Sequence, residues 1–190
     1  MTKRILAVLL LACSPALADT YYLRDTTGEA CGSGTRRDLS TTAGTATLTT
    51  SIVSATTWNI VPGAGDYASG TWTNNIKVQV GSGGGPANRV TCTVARYNSG
   101  CTLQETMVSA ESGTMTKGTV CGTDAESINT TGSPGAVTFA ATDILVIECS
   151  RTNGNKSIDT CYDGNSGDYN SNLTTPTFTP AAAGRSRRMF

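Results

Sequence analysis

The stretch TWTNNIKVQVGSGGGPANRVTCTVARY, Thr71 to Tyr97, decides the fold class. Trp72, Ile76, Val78 and Val80 alternate with Thr73, Asn75, Lys77 and Gln79, the period-two pattern of a strand with one buried and one wet face. After the glycine-rich connection Gly81 to Pro86 the alternation resumes, with Val90, Cys92 and Val94 set against Thr91, Thr93 and Ala95. The two runs read as a β-hairpin whose apolar face carries Cys92.

Upstream, Ala46, Leu48, Thr50 and Ile52 alternate with Thr47, Thr49 and Ser51, and TWNIV places Trp58 and Ile60 together on one side. Thr20 to Arg24 is a short aromatic strand expected to add to a sheet edge or to cap the core; at an edge it could add a strand to a neighbouring subunit. The segment from Asp25 to Thr45 carries Gly28, Gly32, Gly34 and Gly44 and reads as a loop holding Cys31. Pro62 to Gly70 is rich in turn residues.

Downstream, Thr102 to Val108 and Gly113 to Cys121 read as two weaker strands with a turn near Ser112, and Thr123 to Gly135 as a polar turn. Val137, Phe139 and Ala141 alternate with Thr138 and Ala140. ILVIEC, Ile144 to Cys149, is the most hydrophobic run outside the leader and fits a central strand, with Leu145, Ile147 and Cys149 on one face. Ser157 to Tyr162 and Leu173 to Phe178 complete the set. About ten or eleven strands with no helical period predict an all-β, two-sheet sandwich of jelly-roll type, with an immunoglobulin-like sandwich as the alternative.

The opening MTKRILAVLLLACSPALADTYY has Lys3 and Arg4 before an apolar run, then Ala16-Leu17-Ala18. That order predicts a signal peptide over 1–18, a single domain over 19–179 and a flexible basic tail over 180–190. The run is too short to span a bilayer, so no transmembrane segment is expected. The destination is secreted, extracellular or periplasmic. The alternative takes Leu10 to Cys13 as a lipobox, with the protein anchored as a lipoprotein at Cys13.

Seven cysteines are present. With Cys13 in the leader, Cys31, Cys92, Cys101, Cys121, Cys149 and Cys161 form an even set, which in an exported chain predicts disulfides. Cys92 and Cys149 both fall on core faces and are expected to pair, as are Cys101 with Cys121 and Cys31 with Cys161. The competing reading, a metal site, is disfavoured, since the chain has no histidine and no Cys-x-x-Cys pair for zinc. Without Lys3 and Arg4, 12 basic residues face 14 acidic ones, a net charge of −2; without Arg185, Arg187 and Arg188 the body stands at −5. An acidic body argues against nucleic acid as a partner.

Ser-His and Cys-His catalysis lack their base. A carboxylate pair is possible in principle, yet Asp66, Glu105, Glu111, Asp124 and Asp143 sit in contexts where solvated or turn-capping roles suffice. The glycines of Gly81 to Gly85 have no Lys-Ser or Lys-Thr after them and form a turn, not a phosphate loop. The protein is therefore expected to be non-enzymatic and without cofactor. Asp163, Asn165 and Asp168 space oxygens somewhat like a calcium loop, but Gly167 and Asp168 reverse the required order and no Glu follows; an Asx-rich turn is preferred, with calcium as the alternative. Trp58, Tyr67 and Trp72 suggest a sugar-stacking platform, but both tryptophans fall on apolar faces. Tyr67, beside Asp66 on the turn-rich loop, is the exposed candidate for ligand binding. Sequons at Asn129, Asn155 and Asn172 carry little weight behind a leader of bacterial type.

The segments TYYLRDT, DLSTTAGT, WNIVPGAGDYASGTW, VARYNSG, TFAATDILVIE and LTTPTF resemble a loosely defined group of jelly-roll modules in phage structural proteins and uncharacterised secreted bacterial proteins. The resemblance runs from Tyr21 to Phe178 and implies a β-sandwich used in assembly or surface attachment. The leader and the cysteines depart from a purely intracellular virion role. The expected function is that of a subunit in a surface assembly (fibre, coat or adhesin) partnered by itself or other surface proteins. The alternative is a secreted carbohydrate-binding module that recognises glycans.

Overall fold

The computed structural model describes residues 18–29, 31, 35–52, 56–164 and 167–182. Most of the expected leader, Cys13 included, and Asn165 and residues 183–190 of the expected tail lie outside that set. The fold is all-β and sandwich-like. Its strands are β1 (Ala18–Leu23), β2 (Thr35–Ser40), β3 (Leu48–Ser51), β4 (Thr56–Ile60), β5 (Gly65–Tyr67), β6 (Trp72–Val80) and β7 (Arg89–Tyr97). They are followed by β8 (Leu103–Glu111), β9 (Glu126–Gly132), β10 (Val137–Phe139), β11 (Ile144–Asn153), β12 (Ile158–Tyr162) and β13 (Asn172–Pro180).

One layer is built on β6, which has β9 on one side and β12 and β13 end to end on the other. The second layer runs β2-β4-β11-β7-β8, with β2 and β4 parallel and the other pairs antiparallel. The layers are continuous through β1, which pairs with both β13 and β2. At the opposite side β8 and β9 abut, and a Cβ on Gly132 would collide with the carbonyl of Met107. The sheet thus rolls up until β9 meets β8, which shields those two edges from templating aggregation, while β3 extends the first layer beyond β12.

The alternation in β6 is borne out along its whole length, with Trp72, Asn74, Ile76, Val78 and Val80 buried and the residues between them half-exposed. The hairpin is not: β6 and β7 lie in different layers and do not pair. The connection Gly81 to Asn88 is long enough to cross between layers, so each strand takes the partner its apolar face demands. The real hairpin is β7 with β8, closed by Asn98, whose Oδ1 accepts the N–H groups of Gly100 at 3.0 Å and Thr102 at 2.9 Å. Gly113 to Cys121 forms no strand beyond a single bridge from Met115 to Asn88.

Three further expectations are corrected. β1 lies between β13 and β2 rather than at a free edge, with β2 pairing Tyr22 and Leu23, so strand addition through Thr20 to Arg24 would have to displace β2 there. β2 emerges from the supposed loop because Leu39 is buried and β4 supplies a parallel partner. β9 forms where a polar turn was expected, since Ile128 and Thr130 face inward and β6 offers seven residues of register.

The core is aromatic at its centre. Trp58 meets Tyr162 edge-on at 5.8 Å, and Tyr67 touches Trp72 at 4.8 Å, Phe139 at 5.4 Å and Phe178 at 4.7 Å. All six expected cysteines are bridged. Cys92 and Cys149 sit directly opposite each other on β7 and β11 and are bonded, as expected, within one layer rather than between two. The other two bonds differ from expectation: Cys31 joins Cys101, and Cys121 joins Cys161. With Gly113 to Cys121 outside the sheet, Cys101 and Cys121 are not held across a ladder, and each takes a partner from another loop or strand.

Candidate functional site

β11 is apolar on both faces. Leu145, Ile147 and Cys149 turn to the core, while Ile144 and Val146 turn outward and are still buried, so something must cover them. The cover is the chain between β1 and β2, a strap carrying Gly28, Glu29 and Cys31. Cys31 packs with Ile144 and Val146, and Tyr97 of β7 borders the group.

Asn59 of β4 holds the strap down. It is fully buried, accepts the Glu29 N–H on Oδ1 at 2.5 Å, and donates from Nδ2 to the carbonyls of Glu29 at 3.1 Å and Cys31 at 2.8 Å. Gly28 passes so close that a Cβ there would strike the carbonyl of Arg37 and Oδ1 of Asn59. The far end is tied by the Cys31–Cys101 bond to the β7–β8 turn, closing a separation of 70 residues. Charges fasten the root: Arg24 pairs with Asp163 at 2.5 Å, Arg37 pairs with Asp25, and Tyr162 donates to Asp25 at 2.9 Å.

Between the strap and the sheet lies an open cavity of about 290 Å³. Its walls are Glu29 and Cys31 of the strap, Val61 after β4, Ser99 of the β7–β8 turn, Ala141 and Thr142 of the β10–β11 turn, and Ile144 at the start of β11. The β10–β11 turn is tied down by hydrogen bonds. Asp143 accepts the Ala140 N–H at 2.9 Å and the Arg96 guanidinium at 3.2 Å, and Arg96 also donates to the carbonyl of Thr138. Val61, Ala141 and Ile144 give the lining apolar side chains, Ser99 and Thr142 give hydroxyls and Glu29 a carboxylate; Ile144 is buried and Val61, Ala141 and Glu29 are exposed. Among the described residues no cation pairs with Glu29. A smaller cavity of about 220 Å³ is lined by Gln79, Gly81, Ser82, Thr119 and Val120, near the Cys121–Cys161 bond.

The candidate ligand residues go elsewhere. Tyr67 is on a strand and wholly buried, its hydroxyl 2.7 Å from that of Tyr21. Burial raises the pKa of both phenols. Asp66, one residue away and on the opposite face, is exposed and accepts the Thr138 hydroxyl at 2.5 Å. Alternation on β5 therefore separates the pair that was expected to act together. Trp58 and Trp72 are also fully buried. Of the calcium candidates, Asp163 faces Arg24, Asp168 accepts the Ala125 N–H at 3.2 Å, and Asn165 is outside the described residues. Among the described residues no group of three or more His, Cys, Asp and Glu is placed to hold a metal.

The strap pocket escaped the sequence reading, although one signal pointed to it. An ILVIEC run with no polar alternation demands cover on both faces, and the glycine-rich segment with an isolated cysteine was the cover.

The fold and the strap define a disulfide-braced β-sandwich. No protein-family model matches the sequence, and no curated protein is similar to it in sequence. Among solved structures, it is similar to two crystal structures of a CocE/NonD family hydrolase from Staphylococcus aureus. TM-scores are 0.61 and 0.59, identities 10% and 9%, and each match covers 86% of this chain. This chain spans 37% of the hydrolase's length. The likeness is one of fold.

Proposed function

We propose that this protein is an exported, non-enzymatic interaction module, a subunit of a surface assembly whose partner contact is the strap pocket. The observation that carries this reading is where the disulfides lie. One bond reinforces the core, while Cys31–Cys101 braces a surface loop over an apolar cavity and Cys121–Cys161 ties a second loop to β12. A pre-organised surface saves the ordering cost that a flexible one meets on binding. Three disulfides also suit an oxidising compartment, and the resemblance to jelly-roll modules of phage and secreted proteins points the same way. The glycan reading has lost its aromatic platform to the core.

The test is light scattering and electron microscopy of the mature secreted protein. Oligomers or filaments are expected, and filling the cavity with Ala141→Trp should disperse them. A monomer that binds glycan arrays would transfer the protein to the carbohydrate-binding class.

A further inference from the structure

β3 pairs with β12 on one side, and among the described residues no strand pairs its outer edge. The Ile52 N–H donates to the carbonyl of Ile158 at 2.8 Å, and the register of β3 on β12 runs without a bulge. Backbone groups alternate in direction along an antiparallel strand. Leu48, Thr50 and Ile52 therefore turn theirs to β12, while Thr47, Thr49 and Ser51 turn theirs outward. Ser51 is held by Thr56, whose hydroxyl donates to its carbonyl at 3.3 Å. Thr47 and Thr49 are exposed, and among the described residues nothing bonds their outward N–H and carbonyl groups.

An open edge is a template for further pairing, which proteins blunt with charge, proline or a bulge. The run from Thr47 to Ser51 has none of these, and no charged residue occurs anywhere in 39–65. Leu48, between the two exposed threonines, is half-buried and packs against the rim of the core.

β3 of another molecule satisfies this edge. With the strands antiparallel about a two-fold axis at Leu48, each Thr49 N–H donates to the Thr47 carbonyl of the other copy, and each Thr47 N–H to the Thr49 carbonyl. Leu48 then faces its own counterpart in a non-hydrogen-bonded pair, with Cα atoms about 4.5 Å apart, where side chains lie closest. The body's charge of −5 opposes the approach of two copies, and an uncharged edge is where they meet with least repulsion. The same edge offers no charge by which an acidic or basic partner would be selected.

We infer that the outer edge of β3 is a self-association edge, through which a second copy of this chain pairs antiparallel and continues the first layer across a two-fold axis. Such a contact is isologous and by itself stops at a dimer; a separate contact, such as the strap pocket, is needed to propagate it. The inference does not rest on the strap pocket being a contact.

Amide hydrogen exchange of the mature protein, read by NMR at rising concentration, tests it. The Thr50 and Ile52 amides should be protected at every concentration, and the Thr47 and Thr49 amides only as the dimer forms. Thr49→Pro removes the outward donor at an edge position where proline is tolerated. It should weaken self-association, measured by sedimentation, about tenfold or more, whereas Thr49→Val keeps the backbone and should not. Should Thr49→Pro disturb the near-ultraviolet circular dichroism, Thr49→Lys, which sets a lysine of each copy beside the axis, should weaken the dimer likewise.

Thr47 and Thr49 amides that exchange freely in concentrated protein would overturn the inference. So would protection that is independent of concentration, which would put another part of the same chain on the edge, or self-association unaltered by Thr49→Pro and Thr49→Lys. Assembly that Ala141→Trp disperses while the Thr49 amide stays unprotected would overturn this inference alone. Concentration-dependent protection that survives Ala141→Trp supports it whatever becomes of the strap pocket.

Discussion

Asn59 Nδ2 donates to the carbonyl of Cys31 at 2.8 Å, joining the outer face of β4 to a loop that no strand pairing holds. Around this bond the protein stacks a third, partial layer on a two-layer sheet, and the layer is held by hydrogen bonds and a disulfide. Replacing Asn59 with Ala should cost about 2–3 kcal/mol, because it removes three hydrogen bonds and leaves buried backbone groups unpaired. Denaturant unfolding measures the loss, and limited proteolysis should show new cleavage in the strap while β11 stays protected.

The disulfides should yield to reductant in a set order. Cys101 is exposed, whereas Cys92 and Cys149 are both fully buried. Mild thiol treatment followed by alkylation and peptide mapping should label Cys31 and Cys101 first and Cys92 and Cys149 last. The Cys31→Ser, Cys101→Ser double variant should lose roughly 2–4 kcal/mol. If Cys92 were labelled first, the central strands would be opening before the strap.

Alkali should unfold the protein through its buried phenols. Burial raises the pKa of Tyr21, Tyr67 and Tyr162 in the folded state. Their protonated forms contribute stability that is complete below the unfolded-state value near 10 and is lost as pH rises above it, at up to about 1.4 kcal/mol per pH unit for each group. Ultraviolet titration should show part of the chain's six tyrosines ionising only together with loss of the near-ultraviolet circular dichroism signal. Tyr67→Phe should flatten the alkaline limb.

Arg96 links the β10–β11 turn to β7 through Asp143, a carboxylate with only 8% of its side chain exposed. Arg96→Leu should cost about 3 kcal/mol, since it strands a buried charge. Asp143→Asn should cost less, because the amide oxygen still accepts the Ala140 N–H. Thermal melts of the two variants, ranked, provide the check; the reverse order would show that Arg96 acts chiefly through Thr138.

Strands whose faces differ in polarity were legible. The β6 alternation, the outward polar side of β7 and the apolar run of β11 are all local, and so is the placing of Cys92 and Cys149 on core faces, which made their bond the favoured pairing. Strands such as β2 and β9 were hidden because their stability comes from a neighbour: one buried residue, Leu39, suffices in β2 when β4 is alongside. Tyr67 was misplaced for a related reason. A three-residue strand between Pro62 and Gly70 has no period to read, and it exists because β10 and β13 flank it.

Composition and periodicity, which are properties of short windows, established an all-β disulfide protein with its central strand at Ile144–Cys149. Which layer each strand joins, which partners Cys31 and Cys121 take, and the pocket under the strap were settled by long-range packing. A strand's face says that it must be covered but not by what, and the cover for Ile144 and Val146 comes from a segment more than 100 residues earlier in the chain.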